Sequence, residues 1–391
     1  MDLLLFFRII WYNGVMKELT VDLAYTELQQ ILRDKVLLVV GTGASMALDP
    51  RFGMGALGEE LLEKIPGLIK KDDEAKDQWK EVEKILKVDN LENALTEVSS
   101  EFLKKIIIQI TGEFLVELDK QYKLSILNNE KKLPITLFIQ KLFRGLSEND
   151  PVLDIMTPNY DLLIEHGCDQ RKIPYINGFC GGIKKYEDWK EAEKQMIYTS
   201  KVTVRKKSKK VERTKKHIRL YKVHGSINCF IIEDKIIEDN SLVYFKCDVD
   251  SSIERLIITP GNLKYKEAFE KTFECFTEAN KAIEGERAFV FVGYGFNDNH
   301  IHKKIVKELL VNEKPGIIVT KELSENAEKF LEKSVRLWAV YHNSKNHDNV
   351  SENDTLIYNK EYNKPLIIKG QSLWNIQDFS RVVLGDENGN F

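Results

Sequence analysis

The chain predicts an α/β protein organised on a doubly wound parallel sheet, with a helical insertion and a short C-terminal extension. Three observations carry this prediction. Short strand-like runs recur, among them Val36–Val40, Val152–Met156, Ala288–Val292 and Gly316–Thr320, the first and third suited to a strand buried on both faces. The first three open directly into turn-forming loops: Gly41-Thr42-Gly43-Ala44-Ser45, Thr157-Pro158-Asn159-Tyr160-Asp161 and Gly293-Tyr294-Gly295-Phe296-Asn297-Asp298. Segments of helical period separate the runs, and strands alternating with helices build a parallel sheet.

Residues 1–16 read as an N-terminal extension. Met1–Trp11 is apolar but too short to span a bilayer, and Arg8 interrupts it. It lacks the basic start and small-residue cleavage site of a signal peptide. A docking segment and a true start at Met16 are the alternatives. The main domain is expected over 17–345. Val21–Leu32 places Val21, Ala24, Leu28 and Ile31 at helical spacing ahead of the first strand. Residues 58–149 read as an all-helical insertion serving as a lid or a packing surface. Within it, an amphipathic Glu59–Ile65 is ended by Pro66-Gly67. Lys70–Lys87 carries the stripe Trp79, Val82 and Ile85, and Leu91–Leu127 is long and nearly free of breakers.

After Val152–Met156 a helix is expected from about Asp161, which can cap it. Tyr186–Ile197 is expected to be helical, with Trp189 and Met196 inward. The arm 201–219 is strongly basic; Val202 and Val204 alternate with polar residues, so a solvated β-hairpin is the default and a nucleic-acid or partner contact the alternative. It feeds a strand, Leu220–Val223, that ends at His224-Gly225-Ser226. Leu256–Thr259 reads as a further strand-loop unit leading through Pro260-Gly261-Asn262 to a helix over Ala268–Ile283. The strand Gly316–Thr320, a helix over Ser324–Lys333 and the strand Arg336–Tyr341 complete the domain. The C-terminal extension, 346–391, holds two short strands, Leu356–Tyr358 and Pro365–Ile368, and a helix over Leu373–Val383.

Composition sets the outer bounds. With 391 residues, 43% hydrophobic and 30% charged, the chain is long enough for a large core under a well-solvated surface. A net charge of −3 gives no overall push toward nucleic acid or an anionic membrane. The five cysteines, Cys168, Cys180, Cys229, Cys247 and Cys275, form no CxxC and are too scattered for a zinc ribbon, which favours reduced thiols in or near the core. His300 and His302 fall on different faces of a helix and make a poor metal pair. No metal is expected, no further membrane span is found, and a soluble cytoplasmic protein is the reading.

The loops carry the candidate chemistry. Gly41 and Gly43 allow a tight turn and close approach to a ligand, and a helix beginning there would favour a phosphate. The dinucleotide fingerprint is incomplete: Met46 holds the third glycine position and no clear ribose-binding acid follows. An ordinary strand-to-helix turn accounts for the same residues. Asn159 and Asp161 stand at the carboxyl end of a strand, where open α/β sheets bind ligands, but both are also common loop and cap residues. His224, at another strand end, is structural or a base.

In order along the chain, GTGAS, TPNYD, KVHGS and GYGFNDNHI resemble the sirtuin family. In particular they resemble its divergent bacterial sirtuin-like NADases of antiphage defence, and the sirtuin-like subunit that works with a HerA-type ATPase. TPGNLKYKEAF ahead of VGYGFNDNHI is similar to that branch, and the motifs span Gly41 to Ile301. The resemblance implies a Rossmann-like, sirtuin-type fold that takes NAD+ as substrate. It implies that Gly41, Thr42, Gly43, Ala44 and Ser45, with Thr157, hold the dinucleotide. Asn159 would contact the nicotinamide ribose, Asp161 lie near the carboxamide and His224 act as base. Gly293, Tyr294, Phe296 and Asp298 would help form the adenosine side. Homo-oligomers and a HerA-type ATPase partner are implied as well.

Deacylating sirtuins resemble one another in a four-cysteine zinc ribbon that this chain lacks, which puts an acyl-lysine groove in doubt. Three functions stay open: an NAD+ glycohydrolase that depletes the cofactor during infection, a non-catalytic NAD+ or ADP-ribose sensing module, and a zinc-free protein deacylase. Asn159 together with His224 favours the first. A neutral His224 can accept a proton from a ribose hydroxyl or water, and Asn159 can orient either. Gly53, Gly55 and Gly58 could hinge the helical insertion over the cleft. The trigger and the linear or cyclic form of the product stay open.

Overall fold

The computed structural model describes residues 18–96, 98–204, 207–247, 252–259, 273–342 and 351–385. In chain order the helices are α1 Val21–Arg33, α2 Thr42–Met46, α3 Met54–Leu68, α4 Asp73–Leu86, α5 Leu91–Leu95, α6 Glu101–Leu127, α7 Pro134–Gly145, α8 Leu163–Arg171, α9 Trp189–Gln195, α10 Glu274–Gly285, α11 Asn299–Leu310, α12 Glu325–Leu331 and α13 Ile376–Val383. The strands are β1 Val36–Val40, β2 Val152–Thr157, β3 Tyr175–Ile176, β4 Phe179–Gly181, β5 Lys185–Glu187, β6 Ile197–Val204, β7 Lys207–Thr214, β8 His217–Lys222, β9 Gly225–Ile232, β10 Lys235–Glu238, β11 Ile253–Ile257, β12 Ala288–Val292, β13 Gly316–Thr320, β14 Leu337–Tyr341, β15 Thr355–Asn359 and β16 Leu366–Ile368. The chain forms two compact units, one of Arg33–Tyr294, the other of the N-terminal residues to Leu32 together with Gly295 onward.

In the larger unit, β12, β1, β2, β8 and β3 lie side by side and all run parallel. Every residue of β1 and β12 is buried. With both faces covered, no position admits a polar side chain, and this is why both strands read as unbroken apolar runs. Because the strands share one direction, the loops after Val40, Thr157, Lys222 and Val292 emerge along one edge. Toward the opposite end sits a charged cluster. Asp154 accepts from Arg219 at 2.6 and 2.7 Å and from Tyr221 at 2.9 Å, while Lys35 pairs with Glu286 at 2.8 Å.

A second sheet, in the order β11-β9-β10-β5-β4, is antiparallel and was not expected. It corrects two readings. Leu256–Thr259 does not extend the parallel sheet: β11 pairs antiparallel with β9. Gly225 turns the chain into β9 at φ +78, and a Cβ there would stand 2.2 Å from the Leu256 carbonyl oxygen. Tyr186 belongs to β5 rather than to a helix. The helix starts at Trp189, where Asp188 accepts from the Glu191 N–H at 2.9 Å, and Met196 is half-buried.

The insertion is helical as expected, from α3 to α7, with an apolar core of its own that includes Leu61, Ile65, Trp79, Val82, Leu103 and Ile107. Two details differ. Helix α3 runs through Pro66 to Leu68, because a proline so near the end forfeits a single backbone bond while Ile65 and Ile69 stay in the core. Leu91–Leu127 is two helices: α5 ends at Leu95, and Ser100 starts α6 by accepting from the Leu103 N–H. The basic arm forms an antiparallel hairpin, β6–β7.

In the smaller unit, β13 and β14 are parallel, and β15 and β16 continue from β14 in antiparallel fashion. Helix α1 reaches the C-terminal helix through Gln29 Nε2, which donates to the Val383 carbonyl at 2.9 Å. The architecture is thus α/β, with a mixed, mostly parallel central sheet. Residues 1–17, Pro260-Gly261-Asn262 with the first five residues of the helix expected over Ala268–Ile283, and most of the loop after Tyr341 lie outside the described residues, as do the His300 and His302 side chains.

Candidate functional site

The loop after β1 is built by backbone apposition. The Gly41 N–H donates to Val292 O at 2.9 Å and the Gly43 N–H to Gly293 O at 3.0 Å. A Cβ on Gly41 would stand 2.4 Å from Gly293 O, one on Gly43 2.7 Å from Gly293 Cα, and one on Gly293 2.5 Å from the Ala44 nitrogen. Gly293 also holds φ +57, a conformation suited to glycine. These three glycines are therefore required by contact between two neighbouring loops. Helix α2 has five residues, and its Ala44 N–H donates to Gly41 O at 3.1 Å within the loop.

The second loop is tied to the first by side chains. Thr157 Oγ1 donates to Val40 O at 2.7 Å and accepts from the Asn159 N–H at 3.0 Å. Ser45 Oγ donates to Asp161 Oδ2 at 2.8 Å and accepts from Asn159 Nδ2 at 3.1 Å. Ser45 has one proton, and the carboxylate takes it, so Asn159 can approach Ser45 only with its amide N–H. The orientation of Asn159 follows: its carbonyl Oδ1 faces away from Ser45. That oxygen is buried and has no hydrogen-bond partner among the described residues, on a residue only 4% exposed. Asp161, by contrast, uses both oxygens, since Oδ1 accepts from the Leu163 N–H at 3.1 Å. The expected N-cap role is corrected: Leu162 holds that position without a side-chain cap, and Asp161, one residue earlier, only accepts from the first helical N–H.

The third strand end supplies Lys222 and His224. Lys222 Nζ donates to the Asp161 carbonyl and pairs with Glu165 Oε1 at 3.1 Å, all of it buried. Burial pushes the Glu165 carboxyl above its ordinary value, against the pull of Lys222. Half-buried His224 sits beside this loop: its ring lies 6.5 Å from that of Tyr160, and its carbonyl accepts from the Ile258 N–H at 2.9 Å. Tyr160 in turn donates to Ile258 O at 2.8 Å.

Of the residues singled out from sequence, Gly41 to Ser45, Thr157, Asn159, Asp161, His224, Gly293 and Tyr294 meet along one edge of the larger unit's parallel sheet. Tyr294 is buried, its ring 6.0 Å from Phe291. Phe296 and Asp298 belong to the smaller unit, where Phe296 is buried 5.7 Å from the Phe330 ring and Asp298 is half-buried. Lys222 and Glu165 escaped the sequence reading, because a buried lysine looks like a solvated one until its partner is known. The trace of Lys222 was its place inside KVHGS. Among the described residues no grouping of three or more His, Cys, Asp or Glu could hold a metal ion. None of the five cysteines is joined in a disulfide, and burial pushes the thiols of Cys168, Cys229 and Cys275 upward, which keeps them unreactive. No described helix is long and apolar enough to cross a membrane.

An α/β unit whose strand ends gather glycine loops, an Asn, an Asp and a His is thus in place. A family model described as a SIR2-like domain matches residues 154–337, a stretch that holds Asn159, Asp161, His224 and Gly293 but stops short of the first glycine loop. No curated protein matches the chain. Solved structures that are similar include two of Sir2 enzymes. One comes from work on the structural basis for the mechanism and regulation of Sir2 enzymes, at 14% identity over 80% of this chain and 90% of that one, with a TM-score of 0.37. The other is a Sir2 histidine-to-alanine variant with a deacetylated p53 peptide and 3'-O-acetyl ADP-ribose, at 10% identity over 93% of this chain and 98% of that one, also with a TM-score of 0.37. At such scores the likeness transfers no residue role.

Proposed function

We propose that this chain is an NAD+ glycohydrolase, splitting NAD+ and water into nicotinamide, ADP-ribose and a proton. One observation carries the reading: the buried, unpartnered Asn159 carbonyl oxygen, fixed by Ser45 within the SIR2-like segment. An acceptor held that way suits a ribose hydroxyl or a water. Nicotinamide leaves neutral as the bond from ribose C1' to the ring nitrogen breaks. Water then adds to C1', and His224 takes its proton. Asn159 orients the reacting oxygen, and Asp161 acts through Ser45 as a positioning residue. Gly41, Thr42, Gly43, Ala44, Ser45 and Thr157 take the phosphate side, with Gly293 and Tyr294 toward the adenosine. Loss of cellular NAD+ as an antiphage response, a HerA-type ATPase partner and homo-oligomers belong to the same proposal, on the strength of the motif resemblance.

The test is to incubate purified protein with NAD+ and resolve the products by chromatography. Wild type is expected to release nicotinamide, and His224→Ala to lose at least about 100-fold in rate with an unchanged circular dichroism spectrum. Equal turnover in both would end the assignment. Binding without turnover would favour the sensing module.

A further inference from the structure

Neither the sheets nor the site make use of the ribbon β6–β7. Its strands pair from Ile197 with Thr214 to Val204 with Lys207 and form a two-stranded sheet of their own. Eight residues per strand make a finger about 27 Å long, with its strands about 5 Å apart. At its root the Lys215 N–H donates to Met196 O at 2.8 Å, and Arg213 meets Glu148 at 3.0 Å. Beyond the root, Lys201, Lys209 and Lys210 are exposed.

The charge on this finger is unusual in amount and placement. Nine of the residues 201–216 are Lys or Arg and one is acidic, in a chain of net charge −3. Directly opposed residues of a ribbon share a face. Lys201 lies opposite Lys210 on one face, and Lys209 opposite Val202 and Arg213 opposite Tyr198 lie on the other. Opposed lysines destabilise a pair of strands that is already marginal by itself in water. A ribbon that needed only to be soluble would mix its signs. Positive charge on both faces calls for an anion that flanks the finger, whereas an acidic protein surface would press on one face. The major groove of duplex DNA, about 12 Å wide, admits a two-stranded ribbon, and a ribbon entering on edge turns each face to one phosphate wall. The deep, narrow groove of duplex RNA does not admit it.

We propose that the β6–β7 finger is a sequence-independent contact for duplex DNA, with Lys201 and Lys210 on one phosphate wall and Lys209 and Arg213 on the other, Arg213 exchanging its exposed Glu148 partner for a phosphate. The test uses the full chain, a fluorescent short DNA duplex and anisotropy across a salt series. Four phosphate contacts give a slope of log affinity against log salt of about −3.6, or roughly a 100-fold loss between 50 and 200 mM. A variant with Lys201, Lys209, Lys210 and Arg213 all changed to Gln removes the charge and keeps the pairing. It is expected to lose that slope and bind at least about 100-fold more weakly at low salt. The corresponding Glu variant is expected to abolish binding, and if it fails to fold the Gln variant decides. The proposal is overturned if wild type shows no salt-dependent binding, if the Gln variant matches wild type, or if duplex RNA or polyglutamate competes as well as DNA.

Discussion

Replacing Asn159 with alanine separates a residue kept for chemistry from one kept for the fold. The side chain contributes one hydrogen bond to the protein, Nδ2 to Ser45 Oγ at 3.1 Å, worth about 1 kcal/mol net. Its Oδ1 is buried without a partner among the described residues, which costs the folded state about 1–3 kcal/mol. Truncation removes the bond and the penalty together and leaves a small void, worth about 1 kcal/mol more. Ser45 keeps its bond to Asp161 at 2.8 Å. The terms nearly cancel, so Asn159→Ala should change stability by no more than about 1 kcal/mol in either direction. At about 2–4 °C per kcal/mol, the melting temperature should stay within about 4 °C of wild type. NAD+ cleavage should fall by at least about 100-fold. Thermal unfolding followed by circular dichroism, with turnover measured on the same preparation, checks both. A loss of more than about 3 kcal/mol, or activity that survives, would refute the reasoning.

Ser45→Ala should leave Asp161 Oδ2 without its donor and free Asn159 to turn, lowering kcat far more than it raises KM; a change in KM alone would count against a positioning role. Gly41→Ala should cost about 1–3 kcal/mol in urea unfolding, because its methyl would stand 2.4 Å from a backbone oxygen. Gly55→Ala, in helix α3 with nothing within 4 Å of the new carbon, should stabilise by up to about 1 kcal/mol, and similar losses for both would deny the loop apposition. Burial, reinforced by the Asp154 carboxylate, pushes Glu286 up to about 8 from an ordinary 4.5. The folded chain then holds a proton that the unfolded chain has lost, so this contribution is complete below pH 4.5 and is lost as pH rises through about 8. Glu286→Gln should flatten that decline in melting temperature, and parallel pH profiles for the two proteins would refute it.

Much of the scaffold was legible because it is local. β1 and β12 were bounded correctly, since doubly buried strands show as unbroken apolar runs with a glycine at the end. The β6–β7 ribbon followed from alternation. The second sheet was not legible. Strands of three residues such as β4 and β5 are too short to show a period, and β9 buries Asn228 and Cys229 along with its apolar residues.

From the sequence alone came the class of fold, the order of the loops, and the residue types that could perform chemistry on a nucleotide, because propensity, hydrophobic period and turn chemistry act over a few neighbouring residues. What the tertiary structure decided is which atoms of those residues remain available. Ser45 and Asp161 are 116 positions apart, and only their meeting assigns the serine proton to the carboxylate and so turns the Asn159 carbonyl free. Gly41 and Gly293 likewise look like ligand-loop glycines in sequence. Folded, their missing Cβ atoms are what lets two backbones touch, a demand set by a neighbour distant along the chain that no local pattern encodes.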